Sequence, residues 1–390
     1  MAENSKEQVN NTGKKTGVRI AAVLFMIAAL LFSVWFMQKY MCIPFSDDEI
    51  RVINFHKEPK DSIDVLLIGS SATYSDFASA YAYEKYGYTS FPYAIGGATS
   101  TMWKPALKDA LCSQKPKLVV VDVFGGGYDG DMIDSRNNQL SIVMSHTPFS
   151  AEKIETAKEF GEIVDNSSAS GFLFPFIKYH NNVPNCIRDL PDRLRLEFAG
   201  PSPLKGVSTM TRARQLADVD PSSFSDESMP LDDKSEAVIR DFIAYCKSQD
   251  VKVLFVKYPS VLTDNNPDEL EVNLRANRIL EIAAEEGCDT LNMQKHFHDV
   301  GLKEREDFYN HGHTNTRGQK KVTDYLGKHI QETLGIGPSE LSESEKAEWD
   351  EAVRYWEAYQ AMCEEGIAAD TAENLVDCPD LVKRISGLVK

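Results

Sequence analysis

Two serines follow the first apolar run that the sequence marks as a buried strand. In DVLLIGSSATYSDF, residues 64–77, the apolar run ends at Gly69, and Ser70 and Ser71 come next. A strand that ends in Gly-Ser-Ser before a helix places a hydroxyl at the carboxyl edge of a sheet, where open α/β folds bind their ligands. Ser71 is therefore a candidate nucleophile, although serine is also a preferred N-cap residue and the same spacing fits a structural cap.

Histidines near the far end of the chain could activate that serine. DFYNHGHTNTRGQKKVTDYL, residues 307–326, comes after the last predicted strand and carries His311 and His313 into the final predicted helix. Both segments fall at the carboxyl edge of one sheet if its strands are parallel. A serine hydroxyl is a weak nucleophile that needs an adjacent base, and the oxyanion that it forms needs preorganised N–H donors. The two segments together indicate acyl transfer through an activated serine.

Much of the rest of the sequence alternates strand and helix patterns, which predict a fold that can position these residues. Continuous apolar runs predict strands at residues 65–68, 118–124, 251–256 and 290–293. Such runs are expected of strands that are buried on both faces. Helical patterns separate the last three of them, as in KSEAVIRDFIAYCKSQ. The sequence therefore predicts an α/β fold with a parallel sheet between layers of helices.

Two regions do not continue this alternation. Residues 130–230 contain one helical piece near 152–164, an aromatic segment and a Pro- and Ser-rich stretch, and we interpret them as an insertion within an α/β domain at 45–335. A helical tail follows at 339–390. Its apolar stripe is compatible with docking onto its own domain or with binding a partner. The stripe consists of Trp349, Val353, Trp356, Tyr359 and Cys363.

The N-terminus predicts a membrane anchor. The run IAAVLFMIAALLFSVWFM, residues 20–37, carries no charge and approaches the length that spans a bilayer. Lys14, Lys15 and Arg19 precede it. The positive-inside rule then places residues 1–19 in the cytoplasm, the anchor at 20–38 and the rest of the chain outside the cell membrane. A cleaved signal peptide is the alternative, but no small-x-small cleavage site follows the apolar run.

Composition and spacing argue against several other functions. The net charge of −17 opposes binding to nucleic acid. The seven cysteines contain no CxxC pair, and the histidine pairs at 296–298 and 311–313 have no carboxylate at ligand spacing, so we expect no metal and no cofactor. GGGYDG, residues 125–130, matches a dinucleotide-binding motif formally, but no apolar helix pattern follows it.

Three segments resemble the SGNH (GDSL-like) hydrolase superfamily: IGSS at 68–71, YAIGGATS at 93–100 and DFYNHGHTNTRG at 307–318. More narrowly, they are similar to a membrane-anchored branch with cell-envelope glycan O-acyltransferases and esterases and the D-alanine transfer protein of teichoic acids. The resemblance covers roughly residues 60–330. It implies an SGNH-like, flavodoxin-like three-layer sandwich. It also implies an extracytoplasmic serine esterase or acyltransferase that acts on a cell-surface polysaccharide or other envelope polymer, with a polytopic membrane acyltransferase as the source of any acyl donor.

Residue by residue, the resemblance makes Ser71 the nucleophile and His313 the general base. The N–H groups of Ser71 and Gly97 would help to form the oxyanion hole. His313 is preferred to His311 because His313, Asn315 and Gly318 keep the family spacing H-x-N-x-x-G into the last helix.

The sequence departs from the family pattern at two points. The family usually has Asp three residues before the histidine, where this chain has Asn310, and the corresponding change in serine proteases costs about 10⁴-fold. Asp307 is the alternative partner. The block that carries the family's oxyanion asparagine has no match in DVFGGGYDG, residues 122–130. A catalytically weak or inactive scaffold or glycan-binding protein of the cell envelope is therefore the alternative function.

Overall fold

In a computed structural model of the chain, five strands form a central parallel sheet. The structure describes residues 2–41, 43, 45–128, 130–135, 138–164, 168–265 and 267–389. The strand order β2-β1-β3-β5-β6 is that of flavodoxin-like folds. The strands are β1 (Val65–Gly69), β2 (Ser90–Ala94), β3 (Leu118–Asp122), β4 (Ser208–Met210), β5 (Val253–Lys257), β6 (Asp289–Asn292), β7 (Phe308–Asn310), β8 (His313–Thr314) and β9 (Asn374–Val376).

Helices of the domain cover both faces of this sheet, and the long N-terminal helix lies outside these layers. The helices are α1 (Ala2–Tyr40), α2 (Asp47–Phe55), α3 (Ser71–Asp76), α4 (Ser79–Tyr86), α5 (Trp103–Leu111), α6 (Gly130–Ser135), α7 (Asn138–His146), α8 (Ala151–Ile163), α9 (Ala169–Leu173), α10 (Pro175–Tyr179), α11 (Val183–Phe198), α12 (Asp233–Ser248), α13 (Pro267–Glu285), α14 (Thr316–Glu332), α15 (Glu343–Ala368) and α16 (Pro379–Ser386).

Alternate side chains of each central strand enter two separate cores, which gives the fold three layers. Leu66 and Ile68 of β1 pack with α2, α5, α12 and α13 on one face. Val65 and Leu67 pack with α14 on the other. All five residues of β1 are buried, because both faces of the strand are covered. The predicted α/β fold with a parallel sheet is confirmed.

One strand of the sheet was not among those predicted from apolar runs. Strand β2 reads SFPYA and pairs with β1 so that Tyr93 lies opposite Ile68. Its central residue, Pro92, lacks a backbone N–H, which argues against a strand inside a sheet. The strand order places β2 at the edge, where one side of the strand needs no partner and the proline is tolerated.

The insertion is more helical than the sequence analysis predicts. Helix α8 corresponds to the helical piece at 152–164, but α6, α7, α9, α10 and α11 were not predicted. These helices are short or carry proline, as at Pro175 and Pro191, so that their periodicity is weak. Leu140 and Val143 of α7 are nevertheless fully buried in the main core.

The tail packs onto its own domain. Trp349 and Trp356 of α15 are almost fully buried, and their rings lie 5.1 Å and 6.5 Å from those of Tyr83 and Tyr81 on α4. Strand β9 continues the attachment by pairing antiparallel with β4. The apolar stripe is therefore covered by the domain, which favours the docking interpretation over a partner-binding helix. The boundaries 45–335 and 339–390 stay predictions.

Helix α1 contains the predicted anchor. Gly17–Tyr40, 24 residues with a mean hydropathy of 2.6, is long and apolar enough to cross a membrane. Large side chains from Val18 to Trp35 are exposed on this helix. The topology of the anchor stays a prediction.

Candidate active site

Ser71 is the first residue of helix α3 and not its N-cap. The cap position is occupied by Ser70, whose hydroxyl donates to Asp122 Oδ2 at 2.5 Å and accepts no N–H group from the helix. Asp122 ends the neighbouring strand β3 and also accepts the Ser70 N–H at 3.2 Å. Gly69 is required before them because a Cβ there would overlap the side chains of Asp122 and Thr73. This turn leaves the Ser71 hydroxyl for another partner.

That partner is His313. The Ser71 hydroxyl lies 2.6 Å from His313 Nε2, and Nδ1 of the same ring lies 2.7 Å from Asn310 Oδ1. Asn310 Oδ1 also accepts the backbone N–H of Gly312 at 3.0 Å, which fixes this amide atom as an acceptor. Nδ1 must then carry the ring proton, so Nε2 has a free lone pair toward Ser71. The structure thus brings the three predicted residues into one relay.

The loop that carries His313 is held from several directions. The Tyr309 ring stacks on the imidazole, with ring centroids 5.4 Å apart and planes inclined by 8°. Thr314 donates its N–H and its hydroxyl to Asp76 Oδ1, both at 2.9 Å. Asp76 is the last residue of α3, so this carboxyl ties the serine helix directly to the histidine loop.

The spacing H-x-N-x-x-G has a local structural cause. Asn315 caps helix α14 by accepting the N–H groups of Arg317 and Gly318. A Cβ at Gly318 would overlap the backbone oxygen of Asp307, so the helix can begin this close to the hairpin only with glycine. The motif therefore fixes the start of α14 directly behind His313.

Neither alternative residue of the sequence analysis takes part in the relay. His311 lines the same cleft, but its Nδ1 contacts the backbone oxygen of Val261 at 3.2 Å. Asp307 Oδ2 accepts from Lys321 Nζ at 2.6 Å and from the backbone N–H of Lys303 at 2.7 Å. Asp307 is therefore wrong as the partner of the histidine, because its carboxylate is engaged on the far side of the hairpin.

Gly97 lies on the predicted oxyanion side of the cleft, in the left-handed region at φ +66°. The carboxylate of Asp48 holds the loop of Gly97 by accepting the Gly96 N–H at 2.9 Å. The loop also packs closely against Gly125, where a Cβ would overlap the backbone oxygen of Ala98. The role of Gly97 as an oxyanion donor stays a prediction. Among the described residues that line the cleft, Asn310 alone carries a carboxamide, so no second asparagine stands in for the family's oxyanion asparagine.

The cleft around Ser71 has a volume of about 290 Å³. Aromatic and apolar side chains and one carboxylate also line it. They are Phe124, Tyr128, Tyr258, Leu262 and Glu269. Among the described residues, no cluster of three or more His, Cys, Asp or Glu side chains could hold a metal ion. A mostly apolar cleft with a few convergent polar groups is typical of a small-molecule site.

The titratable groups around the relay are strongly shifted. Desolvation lowers the pKa of His313 to about 4, so the imidazole is neutral and able to accept a proton at physiological pH. Burial raises the pKa of Asp76 to about 8, which keeps this carboxyl largely protonated at pH 7. Burial also raises the pKa of Asp122. Neither acid is a predicted site residue, although Asp122 is visible in the sequence as a polar residue that follows an apolar run.

Comparisons with known proteins give distant structural matches only. No family model matches the chain, and no curated protein matches it. A protein of Desulfitobacterium hafniense assigned to the G-D-S-L lipolytic family has 9% identity and a TM-score of 0.33, over 68% of this chain and 97% of that chain. A protein of Bacteroides fragilis assigned as an acylhydrolase has 12% identity and a TM-score of 0.33, over 72% of this chain and 93% of that chain. At this similarity neither match carries an argument about function, which has to rest on the site itself.

Proposed function

We propose that this protein is a serine acyl esterase or O-acyltransferase of the SGNH type. The observation that carries the proposal is the relay in which the Ser71 hydroxyl lies 2.6 Å from His313 Nε2 and His313 Nδ1 lies 2.7 Å from Asn310. A nucleophile, a base and an orienting group within hydrogen-bond distance are what acyl transfer by a hydroxyl requires.

The chemistry follows from this geometry in two steps. Ser71 Oγ attacks the carbonyl carbon of an ester while His313 Nε2 takes its proton, and the N–H groups of Ser71 and Gly97 stabilise the oxyanion. The tetrahedral intermediate collapses when His313 returns the proton to the departing alkoxide, which leaves an acyl-Ser71 ester. Water or a sugar hydroxyl then attacks that ester while His313 takes its proton. The bond from the acyl carbon to Ser71 Oγ breaks as His313 returns the proton to Oγ, which completes hydrolysis or transfer and restores the free serine.

The anchor indicates where the protein acts, and the family resemblance indicates its class of substrate. With Lys14, Lys15 and Arg19 inside, α1 would hold the domain outside the cell membrane, where envelope polysaccharides are the abundant polyhydroxyl acceptors. A polytopic membrane acyltransferase would supply the donor if the enzyme transfers. Protease digestion of intact spheroplasts should degrade the domain, and full protection until the membrane is permeabilised would overturn this location.

A fluorophosphonate probe tests the activated serine. Full-length protein in detergent should be labelled at Ser71, and labelling should be lost in Ser71→Ala and in His313→Ala. Ser222→Ala, at an exposed surface serine, is the matched control and should label normally. If the wild-type protein is not labelled under conditions that label a known serine esterase, the serine is not activated and the proposed function is wrong.

The second candidate is an inactive scaffold or glycan-binding protein with the same fold. Its support is the carboxamide of Asn310 in place of a carboxylate and the lack of another carboxamide among the described cleft residues. It predicts no labelling of the wild-type protein but binding of an envelope polysaccharide, which the same preparation can measure by calorimetry.

A further inference from the structure

The insertion exposes a cluster of large apolar side chains next to the proposed anchor. We define the apolar patch as Phe149, Phe174, Phe176 and Ile177, which are 69%, 43%, 43% and 55% exposed. Three of them lie on or beside α10, a helix that contacts α1. Several large apolar side chains exposed beside one helix are unusual on a soluble surface and indicate a binding partner or a membrane.

A groove joins this patch to the anchor. Leu31, Val34 and Trp35 of α1 form one wall, and Phe149 and Pro175 belong to the other. The groove has a volume of about 540 Å³. The apolar surface of the anchor therefore continues onto the domain.

The position of the groove along α1 indicates where the apolar patch lies relative to the bilayer interface. Trp35 and Tyr40 pack edge to face at 5.9 Å, and Lys39 Nζ lies 5.2 Å from the Tyr40 ring, as expected of residues at a bilayer interface. Leu31 is one turn before Trp35, about 6 Å deeper at 1.5 Å per residue. Phe149 lines a groove that runs along α1 from Leu31 to Lys39, so it lies beside the part of the anchor that meets the bilayer interface.

The same groove carries amines, although the chain as a whole is acidic. Lys39, Lys57 and Lys153 line it within a protein of net charge −17, and the one carboxylate of the described lining, Glu197, pairs with Lys39. Burial lowers the pKa of Lys153 to about 8, and an anionic headgroup beside it would favour its charged form. Apolar side chains with lysines among them match the boundary between acyl chains and lipid phosphates.

We propose that the apolar patch inserts into the bilayer beside α1 and is a second membrane contact of this protein. This inference rests on the membrane location given under the proposed function. The domain is then held against the membrane by two contacts instead of swinging on one tether. Its cleft meets acyl donors and acceptors that lie close to the bilayer surface.

Photo-crosslinking in the full-length protein tests this contact. p-Benzoyl-phenylalanine is placed at Phe149 or Phe176, at Phe25 in the anchor as a positive control, and at His298 as a matched control. His298 is an exposed ring beyond β6, at the opposite edge of the sheet from β2. Each variant is reconstituted into vesicles of phosphatidylglycerol and phosphatidylethanolamine that contain an alkyne-tagged phospholipid, irradiated and assayed for lipid adducts.

Lipid adducts at positions 149, 176 and 25, at least tenfold above those at 298, are the expected result. Adducts at 25 but not at 149 and 176 would overturn the second contact and leave the anchor intact. The absence of adducts at all four positions would refute the membrane location itself. Equal adducts at 298, or a protein adduct at 176 in native membranes, would also overturn the inference.

Discussion

Replacing Asn310 with aspartate should raise ester turnover. Asn310 Oδ1 accepts from His313 Nδ1 at 2.7 Å and from the Gly312 N–H at 3.0 Å. A carboxylate oxygen can accept the same two hydrogen bonds, so the geometry of the relay should persist. The change adds a negative charge beside the ring that becomes positive when Ser71 gives up its proton.

The size of the gain follows from the distance between these charges. Two unit charges about 4 Å apart attract by about 4 kcal/mol at an effective dielectric constant of about 20. Desolvation of the new carboxylate at a half-buried position offsets part of this, which leaves about 2 to 3 kcal/mol. At about 1.4 kcal/mol per tenfold, kcat/KM should rise about 30- to 140-fold. The opposite change in serine proteases costs about 10⁴-fold partly through the wrong tautomer, which Asn310 already avoids here.

The pH profile should move in the same experiment. The pKa of His313 is about 4, so kcat/KM of the wild-type protein should rise through about pH 4 and stay level above it. A carboxylate at position 310 favours the imidazolium and raises this pKa, so the rising limb of Asn310→Asp should shift toward neutral pH.

Hydrolysis of p-nitrophenyl acetate between pH 3.5 and 8 measures both effects. Asn185→Asp adds the same charge at an exposed position and is the matched control. If Asn310→Asp unfolds at the same denaturant concentration as the wild-type protein but shows neither faster turnover nor a shifted limb, the bond from Asn310 to His313 does not limit the reaction.

Three further changes test other parts of the site and its support. Asp76 holds a proton up to about pH 8 in the folded protein, so wild-type stability should fall on the order of 1 kcal/mol per unit as pH rises from 5 to 8, and Asp76→Asn should lose this slope in urea unfolding. Gly125→Ala should push the backbone of Ala98, and with it Gly97, and lower fluorophosphonate labelling at least tenfold at unchanged secondary structure by circular dichroism. Trp356→Ala should lower the free energy of unfolding by about 3 to 5 kcal/mol, and a loss under 1 kcal/mol would contradict the docked tail.

The strands that appear as apolar runs could be predicted from the sequence. The strand that depends on its position in the sheet could not. The apolar runs at residues 65–68 and 118–124 predict β1 and β3, because strands that are covered on both faces have apolar residues at every position. Strand β2 contains Pro92, which only its edge position permits, and an edge position cannot be read from local sequence. The short helices of the insertion were not predicted because each contains too few residues to show a clear helical period.

The predicted site residues meet because each one ends or begins an element at the carboxyl edge. This rule predicted Ser71 and the histidine pair at 311–313, and the family spacing then favoured His313. The structure places Ser71 and His313 in contact. Asp76 was missed because its partner, Thr314, lies 238 residues away, so that no local pattern links the two. Asp307 was proposed on sequence proximity to the histidine, and the hairpin turns its carboxylate toward Lys321 instead.

A neutral relay has a consequence for the choice between hydrolysis and transfer. Asp76 is protonated and Asn310 is uncharged, so among these neighbours no full negative charge steadies the imidazolium of His313. Both the formation and the breakdown of an acyl-Ser71 ester need that imidazolium, and both steps are slowed. A slowly hydrolysed acyl-serine persists until a better nucleophile than water arrives, and a polymer held close to the membrane supplies hydroxyls at high local concentration. Asn310 slows attack by water and by a sugar hydroxyl alike, so within the proposed function the local concentration of hydroxyl groups decides between hydrolysis and transfer.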